Sequence, residues 1–107
     1  MRVFCLKTCD TCRKALAALR EAGHEPEVID VRADGMSETD MDQIAVLFGD
    51  DCINRRSTTW RGLTEVQQME RPRELLEEHP TVMKRPVIEH KGDWYLGWSA
   101  NVQANLL

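Results

Sequence analysis

The segment Cys9-Asp10-Thr11-Cys12 stands where a short apolar run gives way to a helical pattern, and that junction constrains the fold more than any other feature. Upstream, Val3, Phe4, Cys5 and Leu6 are continuously apolar, so residues 2–6 read as a buried strand. Lys7-Thr8-Cys9-Asp10-Thr11 is a polar turn able to cap a helix. Ala15, Leu16, Leu19 and Ala22 then recur at the spacing of one helical face, until Gly23 stops the pattern. Residues 27–31 (Glu-Val-Ile-Asp-Val) alternate as a second strand. Strand, helix and strand in that order imply a parallel pair joined by a right-handed crossover.

The remainder extends the pattern. After a loop at Ala33-Asp34-Gly35, Ser37-Glu38-Thr39-Asp40 starts a second helix in the manner of a capping box, and Met41, Ile44, Ala45 and Phe48 supply its buried face. Residues 54–62 are polar and basic without periodicity, which predicts a loop around Trp60. Residues 65–69 and 73–78 predict two short helical pieces, Pro72 beginning the second and His79-Pro80 ending the helical region. Val87-Ile88-Glu89-His90 and Trp94-Tyr95-Leu96-Gly97-Trp98 flank Lys91-Gly92-Asp93, the pattern of a β-hairpin. Ser99 caps a last helix whose apolar residues are Val102, Leu106 and Leu107. The expected fold is α/β and thioredoxin-like: β-α-β, a helical insertion, a β-hairpin and a C-terminal helix, in one domain over residues 1–107.

Composition sets the context for that fold. The chain has 107 residues, 42% hydrophobic and 30% charged, enough apolar content for a core without staples. Lys7 interrupts the apolar start before a secretory signal can form, and no run approaches the roughly 20 apolar residues that span a bilayer. A cytoplasmic monomer away from membranes is expected. The net charge of −4 argues against binding nucleic acid, whose phosphates need a basic footprint. The local clusters Arg55-Arg56, Arg61 and Lys84-Arg85 suit a small anionic ligand instead.

The four cysteines, at positions 5, 9, 12 and 52, are too unevenly spaced for a disulfide framework and suit a reduced thiol set. A C-x-x-C opening a helix inside a β-α-β unit points to redox chemistry. The attacking species is a thiolate, and the unpaired N–H groups at a helix start favour that form at Cys9. Arg13 and Lys14 add positive charge nearby. Cys12, one turn on, can attack a mixed disulfide on Cys9. Cys9 is therefore the candidate nucleophile and Cys12 the candidate resolving thiol. The plainer alternative is a helix cap beside a half-buried small residue. A metal site is not expected, because no second C-x-x-C or paired histidines complete one. Cys5 reads as packing, and Cys52 beside Asp50-Asp51 as unreactive.

Arg85-Pro86 opens the hairpin. In a thioredoxin-like fold this loop meets the helix carrying the cysteines. Arg85 then aims a planar fork of donors at an anion or carboxylate held on Cys9, beside a Pro86 that can be cis. Lys7, Thr8, Thr11, Arg13 and Pro86 are the candidate substrate-binding residues. Arg55, Arg56 and Trp60 either line the mouth of a pocket or pack locally. Trp94 and Trp98 read as core or edge packing.

Three separated segments together resemble the arsenate-reductase-related family: residues 7–15 (Lys-Thr-Cys-Asp-Thr-Cys-Arg-Lys-Ala), residues 54–61 (Asn-Arg-Arg-Ser-Thr-Thr-Trp-Arg), and His79-Pro80 through Lys84-Arg85-Pro86-Val87. The chain is most similar to the YffB-like branch, with Spx-type regulators as cousins. The resemblance implies a thioredoxin-like fold with a helical insertion. It also implies a nucleophile at Cys9, flanked by Thr11 and Arg13, and an arginine and cis-proline pair at Arg85 and Pro86. In the glutaredoxin-coupled arsenate reductases, the nucleophile attacks arsenate, glutathione attacks the adduct, and arginines hold the oxyanion.

This chain departs from those reductases at three places. Cys5-Leu6-Lys7 replaces a His-Asn-Pro stretch, Cys12 replaces a serine, and Leu96-Gly97-Trp98 stands where a further anion-binding arginine belongs. A lost charge-assisted contact to an oxyanion costs about 1.5–3 kcal/mol, which opposes tight arsenate binding. The leading expectation is thus a glutathione-linked thiol oxidoreductase, with glutathione as co-substrate, glutaredoxin as a candidate partner and no bound cofactor. Arsenate reduction by the same thiolate is the second. The third is an Spx-like redox switch that binds RNA polymerase.

Overall fold

The computed structural model describes all 107 residues. In chain order its elements are β1 (Arg2–Cys5), α1 (Asp10–Glu21), β2 (Glu27–Asp30), α2 (Glu38–Phe48), α3 (Thr58–Arg61), α4 (Glu65–Gln68), α5 (Pro72–Glu78), β3 (Val87–His90), β4 (Asp93–Leu96) and α6 (Ala100–Leu106). They form two units, Met1–Asp34 with Arg85–Leu107, and Gly35–Lys84.

In the first unit β1 is an inner strand of a sheet ordered β2-β1-β3-β4. It pairs parallel to β2 and antiparallel to β3, while β3 and β4 form the hairpin. Side chains alternate along a strand, so β1 serves both faces. Val3 and Cys5 join Cys12, Leu16 and Leu19 of α1, Ile88 of β3, and Val102 and Leu106 of α6 in one buried cluster. Phe4 points the other way and stacks on Trp94 with ring centroids 5.8 Å apart, the Arg2 guanidinium lying 5.3 Å from the Phe4 ring. Helix α1 ends as its sequence predicts. Gly23 takes φ +95°, its N–H bonds the Arg20 carbonyl, and the His24 N–H bonds that of Leu19, which satisfies the last carbonyls of the helix.

The second unit is helical. Ser37 caps α2 by accepting the Asp40 N–H, and Met41 and Ile44 are its buried residues. They belong to a core with Leu75 and Leu76 of α5, Cys52, Ile53, Val82 and Met83. A short antiparallel bridge joins Ile53 to Met83, flanked by bonds from the Asn54 N–H to the Val82 carbonyl and from the Lys84 N–H to the Cys52 carbonyl. Pro72 stands at the start of α5, as predicted.

The sequence order β-α-β, helices, hairpin, helix is therefore the observed one, and the fold is thioredoxin-like α/β. Four local expectations are corrected. Residues 54–62 contain α3, because Ser57 accepts the Trp60 N–H and starts a helix without any apolar stripe. The helical region does not end at His79-Pro80, since Pro80–Val82 adds a 3-10 turn. Asp93 pairs with His90 inside the hairpin, leaving a two-residue turn of Lys91 (φ +53°) and Gly92 (φ +84°). Leu107 is 56% exposed, outside the apolar face of α6. No helix is long and apolar enough to cross a membrane.

Candidate active site

The site is built where β1 hands over to α1. The Cys9 N–H donates to the Leu6 carbonyl at 3.1 Å, closing a turn over Lys7 and Thr8. Cys9 is the N-cap residue of α1, with extended backbone (φ −86°, ψ 117°), and its side chain makes no capping bond. The helix start thus does not occupy the thiol. Cys9 is partly exposed and packs against the buried cluster of the first unit.

One turn along, Cys12 is fully buried. Interaction with the Cys5 thiol, reinforced by burial, holds the Cys12 thiol far above its usual range. The same interaction draws the Cys5 thiol below its usual value. Burial, the Asp30 carboxylate and Cys9 oppose that shift, and the Arg85 charge adds to it. Cys5 was expected only to pack; it packs, and its thiol is also influenced by Cys12. Cys52, by contrast, lies in the second unit, where burial and then Asp50 and Asp51 push it up to about 11. That agrees with its expected inertness.

Asp30 organises the loop before Cys9. It ends β2, is 4% exposed, and stands opposite Cys5 in the strand register. Its Oδ1 accepts the N–H groups of Arg32 and Ala33 at 2.9 Å each, and its Oδ2 accepts the Lys7 N–H at 3.1 Å. These bonds, Ala33 foremost, hold its carboxyl below the usual range against the cost of burial, and the Lys7 charge adds to them.

The predicted binding residues divide. The Arg85–Pro86 peptide is cis, and the Pro86 carbonyl accepts the Gly97 N–H at 2.8 Å. Arg85 is half-buried, and its charge acts on Cys5. Lys7, Thr8 and Thr11 are exposed around Cys9. Arg13 is turned along the rim: its Nη2 lies 2.9 Å from Asp10 Oδ1 and 3.4 Å from the Thr8 carbonyl. In the second unit the Arg55 guanidinium lies 5.3 Å over the Trp60 ring. A cleft of about 610 Å³ there is lined by Asp50, Asp51, Ile53, Asn54, Arg55, Arg56 and Lys84. No group of three or more His, Cys, Asp or Glu residues is disposed to hold a metal ion.

Sequence reasoning missed the roles of Cys5 and Asp30. The signal was faint: a carboxylate closing the apolar strand Val28-Ile29, and a thiol four positions before Cys9 across a turn.

The sequence profile of the ArsC family matches residues 4–104, a span that includes Cys5, Cys9, Cys12, Asp30, Arg85 and Pro86. The chain belongs to the ArsC family. A Haemophilus influenzae protein described as uncharacterised is 36% identical over 102 residues, which cover 91% of this chain and 90% of that one. A solved structure described as a YffB protein matches with TM-score 0.86 and 27% identity, over 99% of this chain and 97% of its own. An arsenate reductase (ArsC) related protein from Brucella melitensis matches with TM-score 0.73 and 27% identity, over 97% of this chain and 91% of its own. The resemblance read from the three motifs is thus correct for family and fold. This ArsC-family chain keeps the arsenate-reductase-related architecture, and the family supports thiol-based redox chemistry as its general class.

Proposed function

We propose that this ArsC-family chain, acting as one domain over residues 1–107, is a thiol oxidoreductase that attacks glutathione-linked disulfides through Cys9. The observation that carries the reading is the Cys9 thiol itself, partly exposed at the start of α1, unused as a cap and one helical turn before Cys12. In the first step the Cys9 thiolate attacks one sulfur of the disulfide, forming a mixed disulfide and expelling one thiolate. In the second, Cys12 attacks the Cys9 sulfur and expels the other half, which takes the Cys12 proton. Arg85 and Lys7 would hold the carboxylates of glutathione, with Thr8, Thr11 and Arg13 at the rim and the backbone beside Pro86 along its peptide. Glutathione is a co-substrate in this scheme, not a resident group.

The end of β4 favours a disulfide over arsenate. Where an additional arginine would serve the oxyanion, Leu96 ends the strand and the buried Gly97 is fastened to the Pro86 carbonyl. The test is incubation of the reduced protein with oxidised glutathione, followed by peptide mass mapping, with arsenate plus glutathione and glutaredoxin run in parallel. Glutathione should appear on Cys9, and Cys9→Ser should lower disulfide turnover to the uncatalysed background. A Cys9→Ser protein that keeps its turnover sinks the reading. Glutathione oxidation that depends on arsenate transfers the site to arsenate chemistry.

A further inference from the structure

Two histidines that the thiol reading does not use meet beside the buried cluster that holds Cys12. Ile88 of β3 belongs to that cluster, and His90, two residues on, faces the same side of the sheet. The ring of His24, in the loop after α1, meets the His90 ring edge-on, with centroids 5.3 Å apart. His24 Nε2 also lies 2.8 Å from the carbonyl oxygen of Leu106, the last residue of α6. A carbonyl only accepts, so this nitrogen carries the hydrogen, and His24 ties its loop to α6 whether its ring is neutral or charged. His90 is the opposite case. Its Nδ1 is buried and has no hydrogen-bond partner. Once protonated, that nitrogen is a buried donor with nothing to receive it, on a charged ring beside a second imidazole.

We infer that His24 and His90 form an acid-sensitive latch on α6: protonation of His90 breaks the contact of the two rings and lets the end of α6 leave the sheet. Helix α6 is the part able to yield. β3, which carries His90, is hydrogen-bonded along both edges, to β1 and β4, whereas α6 is a seven-residue helix with two buried residues, Val102 and Leu106. The charges around His90 oppose its protonation. Burial acts first, then Lys91, the Met1 amine and His24, while Glu89 acts the other way. Glu89 is already engaged, accepting from Arg2 Nε and the Gly92 N–H. Asp93, the register partner of His90 on β4, is exposed, α6 carries no charged side chain, and α1 gives the cluster only Cys12, Leu16 and Leu19. The folded imidazole therefore titrates below its ordinary value, so the latch is closed above about pH 6.5 and loosens as the pH falls toward the lower folded value. Val102 and Leu106 share the cluster with Cys12, so a released α6 uncovers the buried half of the C-x-x-C. The latch itself stands without the thiol-exchange reading; only this consequence bears on it.

Amide hydrogen exchange tests the latch without involving a thiol. The full-length protein is compared at about pH 7.5 and about pH 5, with rates corrected for the intrinsic effect of pH on exchange. Asp30, whose carboxyl lies below its usual range, stays ionised at both. The α6 amides that bond within the helix, such as those of Gln103 and Leu107, should lose about tenfold in protection at the lower pH, the size expected when opening frees one imidazole to titrate near about 6.5. Val3 and Phe4 of β1 should keep theirs. In His90→Gln, which takes up no proton here, the α6 response should shrink to less than about twofold. Unchanged α6 protection in the wild-type protein overturns the inference, and so does an equal fall in wild type and His90→Gln. If His90→Gln does not fold, the wild-type protein decides alone. Its His90 ring-proton resonance should then titrate over the pH range in which α6 loses protection, and separate ranges overturn the latch.

Discussion

Asp30 shows how much of the site hangs on one side chain. Its carboxylate receives backbone N–H groups from Lys7, Arg32 and Ala33, tying the loop before Cys9 to the turn after β2. An Asn at this position offers one acceptor and sets an NH₂ against an N–H, so Asp30→Asn should lose about 1–3 kcal/mol of stability near neutral pH. The pH dependence has a definite sign. The folded carboxyl lies below its ordinary value, so its contribution is present above an unfolded pKa of about 3.9 and fades as the pH falls through the lower folded value. Urea unfolding of both proteins from about pH 7 to about pH 3 should therefore show the gap closing toward acid. A gap that stays constant would mean that the charge does not provide the anchor. Cys9, Cys12, Arg85 and Pro86 stood out in the sequence as candidates because local chemistry marks them: a thiol pair at helix-turn spacing, and a proline opening a strand. Cys5 and Asp30 did not, since what they do depends on the β1–β2 register that sets them side by side.

At the scale of elements, the parts with strong local signals formed as expected. Helix α1 carries an apolar face and a terminal glycine, and α2 and α6 start on serines that accept an N–H from the first turn. Helix α3 was illegible because its four residues have no buried face, and a single Ser57 bond starts it. The hairpin shows the same limit. Its glycine was plain, but whether Asp93 lay in the turn depended on pairing with His90. Gly92 now has a specific demand, φ +84° in a turn whose other residue also has positive φ. A two-residue turn of this kind suits strand twist and favours glycine. A Cβ at Gly92 meets no atom within 4 Å, so Gly92→Ala tests backbone cost alone. The expected loss is about 1–2 kcal/mol in denaturant unfolding, with the sheet's far-ultraviolet signature unchanged. An unaltered midpoint would show that the turn relaxes to accept a side chain.

Across the whole molecule, the distribution of buried apolar groups predicts unequal local stability. The residues of β1 pair on both edges and two of them enter the buried cluster beside α1 and α6. Helices α3 and α4 contain no buried residue. Amide hydrogen exchange should be slowest at Val3, Phe4 and Cys5 and orders of magnitude faster across residues 58–68, because exposed short helices open without global unfolding. Comparable protection in both segments would contradict that gradient.

The place of β1 also bears on how the chain is made. Its partner on one side, β2, follows within the first 30 residues, but its partner on the other side must wait: Arg2 meets Glu89, 87 positions later. While the ribosome threads out the helical stretch between, the earliest strand carries an open edge able to pair with a stranger. Any pause in translation before β3 emerges lengthens that exposure. For this fold, the tempo of synthesis therefore acts on the oldest strand through the arrival of one of the last.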